Sequence, residues 1–231
     1  MYGKGKSALK HSENPFRLYA VTDGSRTGPE ELRAVLRGGA TCVQLREKEL
    51  ATDAFLEKAA LFQAICAEEK VPLIINDRID IALKVGAAGV HLGQSDGSLA
   101  EARRVLGPNA WIGSSVHNSA EAQAAWKNGA DLLGVGAIFP TATKLDAETV
   151  SLETLRALCA AVPIPVVAIG GINRENIVRL EKSGVAGVAL ISALFHAPNI
   201  TEATRDFALL TESLGFSAGG HLPQFDKPSA P

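Results

Sequence analysis

Arg46 and Lys48 follow the apolar run "ATCVQL" two residues apart, with Gln44 two residues before Arg46. Alternate residues of an extended chain share a face, so this segment turns an amide and two cations to one side and Val43 and Leu45 to the other. Four more apolar runs end in polar groups: Asn76, Asp77 and Arg78 after "PLII"; His91, Gln94 and Asp96 after "AAGV"; Ser114, Ser115 and His117 after "WIG"; Thr141, Thr143 and Lys144 after "GAIFP". The cations Arg46, Lys48 and Lys144 and the hydroxyls of Thr141 and Thr143 could hold phosphoryl oxygens. Asp77 and Asp96 are hard oxygen ligands that suit Mg2+, which takes one or two carboxylates and completes its shell with water and phosphate. "AIGGI" at 168–172 and "ALISAL" at 189–194 add a second anion site, with Gly170 and Gly171 admitting a ligand to the backbone and amides near Ile191 and Ser192 at a helix start.

Each group also has an ordinary reading. The cations could be surface ion pairs. Asp77 could pair with Arg78, Asp96 could shape a turn before "GSLAEA", and "FPTATK" could be a solvated loop. The five histidines, His11, His91, His117, His196 and His221, lack zinc spacing, and no convincing Ser/His/Asp or Cys/His nucleophile is legible.

The elements that would position these groups are marked by a recurring half-motif. "RGGATCVQL" at 37–45, "KVGAAGVHL" at 84–92, "KNGADLLGV" at 127–135 and "KSGVAGVAL" at 182–190 each run basic residue, spacer, glycine, strand. The pattern suits a helix whose last turn places a cation at the negative dipole end, then a left-handed glycine. "RLYAVTD", "PLIIND", "WIGSSV" and "VVAIGG" bring the strands to eight. Between them the period turns helical, as at 52–69, where Phe55, Ala59, Phe62 and Cys66 share a face. Ser98 with Glu101 and Asn118 with Glu121 read as helix starts, and Gly107, Gly129, Gly184 and Gly215 as stops. Eight evenly spaced strands alternating with helices predict a single closed (β/α)8 barrel over 17–216, with chemistry at the C-terminal strand ends. An open doubly wound sheet is the alternative.

The bulk properties exclude several classes of function. With 23 Lys+Arg against 25 Asp+Glu, the net charge of -2 provides no field for nucleic acid or an anionic membrane. The three cysteines, an odd number without a C-x-x-C pair, suit a reducing compartment, and with no apolar run of membrane length a cytoplasmic protein is expected. Residues 1–16 and 217–231 are expected to be loose extensions, and homo-oligomeric association is compatible with the chain.

In this order and spacing, "QLREK", "NDR", "HLGQSD", "FPTATK", "AIGGI" and "ALISA" resemble the thiamine-phosphate synthase family from about residue 17 to 212. The resemblance implies a TIM-barrel transferase joining 4-amino-2-methyl-5-(hydroxymethyl)pyrimidine diphosphate to 4-methyl-5-(2-phosphoethyl)thiazole, or its carboxylated form, with release of pyrophosphate. It implies that Gln44, Arg46, Lys48, Asn76, Thr143 and Lys144 contact the pyrimidine diphosphate, with Arg46, Lys48 and Lys144 in catalytic roles. It assigns Mg2+ to Asp77 and Asp96, and substrate or product contacts to Ser115, Thr141, Gly171, Ile191 and Ser192. The related thiazole tautomerases share "REK", "NDR" and "AIGGI" and use a histidine in an "SVH" context, which makes His117 the pivot of the alternative function; a non-catalytic phosphate-binding barrel is the other. The length leads us to expect no fused pyrimidine kinase.

Overall fold

A computed structural model describes residues 14–141 and 149–216. Eight parallel strands close into one barrel in sequence order: β1 (Leu18–Val21), β2 (Cys42–Leu45), β3 (Leu73–Asn76), β4 (Gly89–Leu92), β5 (Trp111–Val116), β6 (Leu132–Val135), β7 (Val166–Ile169) and β8 (Gly187–Leu190). The ring shuts where Tyr19 of β1 pairs with both Cys42 of β2 and Ala189 of β8, which excludes the open sheet. Around it run α1 (Pro29–Gly38), α2 (Thr52–Glu68), α3 (Ile79–Val85), α4 (Leu99–Leu106), α5 (Ser119–Lys127), α6 (Leu152–Ala161), the short α7 (Ser192–Phe195) and α8 (Ile200–Ser213).

Local chemistry sets the helix ends. Ser98, Asn118, Ser151 and Asn199 each accept a hydrogen bond from a backbone amide three residues on, satisfying donors that a helix start leaves unpaired. The glycines of the four half-motifs, Gly39, Gly86, Gly129 and Gly184, all take positive φ (101°, 64°, 94° and 88°). The fourth copy departs from the others in one respect: a 3-10 turn, Ile177–Leu180, precedes it instead of an α-helix. Asn173 Oδ1 accepts from the amides of Glu175 and Asn176, and Asn176 Oδ1 accepts from Asn173 N. These side-chain bonds take the place of a helical ladder.

Strand alternation divides the core into two layers. Val43, Leu45, Ile75, Val90 and Leu133 pack outward against the helices, while Tyr19, Val21, Cys42, Ile74, Trp111, Leu132 and Val167 fill the barrel. The inner layer is apolar at the floor and leaves the upper strand ends free for polar groups.

Phe16 corrects the expected N-terminal boundary. It is fully buried beneath the barrel, with its ring centroid 4.9 Å from that of Trp111, and Asn14 Nδ2 donates to the carbonyl of Ala186 at 2.6 Å. Residues 14–16 therefore belong to the body, because the open bottom of a barrel needs an apolar plug and Phe16 completes the one that Trp111 begins. Residues 1–13 of the expected N-terminal extension, and the expected tail at 217–231, lie outside the described residues. Phe16→Ala is expected to cost about 3–5 kcal/mol, read as a lower denaturant midpoint at unchanged m-value; a wild-type midpoint would show that the floor closes without it.

Candidate active site

At the C-terminal strand ends the barrel opens into a cavity of about 420 Å3. Gln44, Arg46, Lys48, Asn76, Asp77, Asp96, Ser115, Thr141, Gly171, Ile191 and Ser192 all line it. The expected site residues are thus brought together, apart from Thr143 and Lys144, which lie outside the described residues.

The β2 end follows the expected alternation. Gln44 is buried inside the barrel, where its Nε2 donates to the Tyr19 hydroxyl at 3.0 Å. Two steps on, the Arg46 amide is fixed by Thr22 Oγ1 at 2.9 Å. Between the two cations the chain turns Glu47 away from the mouth. Its carboxylate is only 3% exposed and meets Lys58 Nζ of α2 at 2.5 Å, while Lys58 also donates to the Gly24 carbonyl. This buried pair ties the β2 loop to α2 and to the β1 loop; sequence inspection missed it because the partners are eleven positions apart on different elements.

Asp77 forms the centre of a tight turn. Its φ is 63°, its amide donates to the His91 carbonyl, and Arg78 N reaches back to the Asn76 carbonyl at 2.8 Å. A three-residue turn with positive φ at a residue bearing a Cβ is strained by roughly 1–2 kcal/mol. The strain accompanies a carboxylate directed into the mouth. Arg78, the partner considered for Asp77, instead makes a two-point contact with Asp80 at 2.8 and 2.7 Å. Asp96 does shape its loop, with Oδ2 accepting from Gly93 N at 2.8 Å.

The Asp96 carboxylate lies near enough to Asp77 to act on its carboxyl. Partial burial first, and then the neighbouring Asp96 carboxylate, lifts the Asp77 carboxyl to about 6, although Lys48 and Arg46 pull it down. Among the described residues no group of three acidic, histidine or cysteine side chains could hold a metal. Two facing carboxylates with open surroundings fit an ion that keeps water and phosphate ligands, as Mg2+ does.

On the opposite wall the paired glycines have a role beyond ligand access. Gly170 and Gly171 have φ of 96° and 64°, and a Cβ on Gly171 would lie 2.5 Å from the Phe139 carbonyl oxygen. They let the loop after β6 pack closely, with Ile138 N and Phe139 N donating to the carbonyls of Ile169 and Gly170. That packing carries Thr141 to the cavity edge.

A Ser–His contact that the sequence did not reveal lies deeper. His91 Nε2 is 3.0 Å from Ser115 Oγ, and desolvation pulls the ring down to about 4. The motif "HLGQSD" was legible, but the pairing across strands was not. Among the described residues no carboxylate orients the far ring nitrogen, so they form no full triad. His117 stands at the rim, its Nδ1 3.1 Å from Glu121 Oε2 and its side chain 44% exposed.

Residues 18–194 match the family model described as thiamine monophosphate synthase. The chain belongs to this family. A thiamine-phosphate synthase of Clostridium acetobutylicum is 48% identical over 194 residues, covering 82% of this chain and 92% of that protein. A probable chloroplastic thiamine biosynthetic bifunctional enzyme of rice is 46% identical; the match covers 85% of this chain but only 38% of the larger protein. Among solved structures, a thiamine phosphate pyrophosphorylase from Pyrococcus furiosus superposes with a TM-score of 0.82 at 39% identity, covering 87% of this chain and 98% of that one.

The acid pair predicts a pH effect on stability. Because Asp77 in the folded protein titrates above its ordinary value of 3.8, the folded state holds this proton more tightly than the unfolded chain, and ionisation costs stability as pH rises from about 4 to about 6. In metal-free buffer Asp77→Asn is expected to unfold at higher urea than wild type at pH 7 and at nearly the same urea at pH 4. A gap that does not widen with pH would contradict the like-charge geometry.

Proposed function

We propose that the barrel condenses 4-amino-2-methyl-5-(hydroxymethyl)pyrimidine diphosphate with 4-methyl-5-(2-phosphoethyl)thiazole, or its carboxylated form, to give thiamine phosphate and pyrophosphate. Family membership supports the reaction. The observation that carries it to this cavity is the convergence of Asp77 and Asp96 with Arg46 and Lys48 on one wall, facing the Gly171 and Ile191–Ser192 backbone on the other. Such a cavity suits two phosphorylated groups at once.

Asp77 and Asp96 would hold Mg2+, which when bound supplies positive charge to the departing pyrophosphate. Arg46 and Lys48, joined by Lys144, would neutralise the charge that grows on the leaving oxygens. Gln44, whose amide is fixed by Tyr19, has its carbonyl oxygen left to accept from an exocyclic amine on the pyrimidine, with Asn76 beside it. Thr143 would join the pyrimidine diphosphate contacts. The Ile191 and Ser192 amides, Gly171 and Thr141 would receive the thiazole phosphate. Loss of pyrophosphate before attack leaves a carbocation that the aminopyrimidine can delocalise, and the thiazole nitrogen then adds. No protein nucleophile is required. The free Cys42, Cys66 and Cys159 support a reducing compartment, the cytoplasm. Among the described residues no helix is long and apolar enough to cross a membrane. The tautomerase alternative through His117 is not favoured, since the ring's Nδ1 is taken up by Glu121 and the named synthases cover nearly the whole barrel.

The test is a pyrophosphate-release assay with both substrates, with each alone and with EDTA. Release is expected only with both substrates and free divalent metal. Arg46→Ala and Lys144→Ala should each lower kcat about a hundred- to a thousandfold, by analogy with lost oxyanion donors, while the melting temperature barely moves. Full activity in EDTA, or a near wild-type rate in Lys144→Ala, would overturn the roles given to these residues.

A further inference from the structure

His91 sits on β4 inside the barrel, 8% exposed, in space that two neighbouring strands provide by carrying glycine. A Cβ on Gly113 of β5 would stand 2.3 Å from its Nδ1, and one on Gly134 of β6 would stand 3.0 Å from its Cε1. Its Nε2 is 3.0 Å from Ser115 Oγ, whereas its Nδ1 is buried with no hydrogen-bond partner among the described residues. Gln94 Nε2 donates to the Ser115 carbonyl at 2.6 Å, so Ser115 is held at both its backbone and its side chain.

A neutral imidazole has one N–H and one bare nitrogen. Burial inside the barrel disfavours the charged ring, so the imidazole is taken up in its neutral form. If Nδ1 carried the proton, a buried N–H would face the β5 backbone with nothing to accept it, and the Ser115 hydroxyl would be used up donating to Nε2. If Nε2 carries the proton, the orphan is a bare acceptor, a kind of vacancy that buried groups tolerate more often than an orphan donor. We infer that His91 is a positioning residue held as the Nε2–H tautomer, donating to Ser115 Oγ so that the Ser115 proton turns into the cavity to meet an anionic phosphoryl oxygen. The opposite tautomer would turn hydroxyl lone pairs toward the anion, and would set up His91 as a base for a serine nucleophile. The inference rests on the reading that Ser115 faces a phosphorylated substrate.

Two measurements test it. In the full chain with 15N-labelled histidine, long-range 1H–15N correlation spectra at pH 7 are expected to show His91, assigned by its loss in His91→Gln, protonated at Nε2 and bare at Nδ1. A ring protonated at Nδ1, or at both nitrogens, would overturn the inference. In steady-state kinetics, Ser115→Ala and His91→Leu should each lower kcat/KM for the pyrimidine diphosphate about ten- to a hundredfold, the range for a hydrogen bond to a charged group. The double variant should be no worse than Ser115→Ala, and His91→Gln, which keeps a donor, should recover much of the loss. Losses that multiply in the double variant would assign His91 a packing role only and overturn the relay. If the wild-type protein made no thiamine phosphate, the functional reading would fail while the tautomer spectrum still decided the state of the ring. If His91→Leu failed to fold, the wild-type spectrum would decide in the same way.

Discussion

Two carboxylates held against each other at the barrel rim set the electrostatic terms of the whole mouth. The partial burial of Asp77, with the neighbouring Asp96 carboxylate, outweighs the pull of Lys48 and Arg46 on its proton. The site therefore has an unmet demand for positive charge between its acids, while among the described residues Arg46 and Lys48 line the same cavity. In the reaction proposed above, a divalent cation carrying a polyphosphate would satisfy both demands together.

The barrel produces this arrangement through strand alternation. On β2 and β3 the inward residues run from apolar at the floor to polar at the rim: Cys42, then Gln44, then Arg46 on the β2 side; Ile74, then Asn76 on the β3 side. The floor is closed by Phe16 and Trp111, so the polar band rests on a dry base. Rigid ties then hold the rim. Lys58 bridges Glu47 and the Gly24 carbonyl, Thr22 fixes the Arg46 amide, and Asp23 meets His196 just after the turn that carries Ile191 and Ser192 at 2.5 Å. The β1 loop thus braces the loops of β2 and β8, tying the cationic wall to the backbone wall.

What could be read from the sequence followed from the range of each signal. Strand alternation, Asn and Ser helix caps and left-handed glycines act over two to four residues, so the eight strands and their polar ends are visible in the linear chain. Groups that meet across strands are not. His91 with Ser115, Glu47 with Lys58 and Asp23 with His196 depend on register and on how one loop leans on another. Phe16 is core that no local pattern marks, because a single aromatic before the first strand has no period to announce it. The Asn173–Asn176 turn replaced an expected helix because polar side chains satisfied the backbone locally. The family motifs were more informative than any single residue, since their order constrains loops that local patterns leave open.

The central claim is that the acid pair and the cations form one receptor for a metal-bound pyrophosphate. Crystals grown with Mn2+ and inorganic pyrophosphate test it most directly through anomalous scattering. A peak is expected between the Asp77 and Asp96 carboxylates, with pyrophosphate oxygens shared between the ion and the side chains of Arg46 and Lys48. Pyrophosphate bound elsewhere in the cavity, or Mn2+ sites that avoid both aspartates, would contradict it.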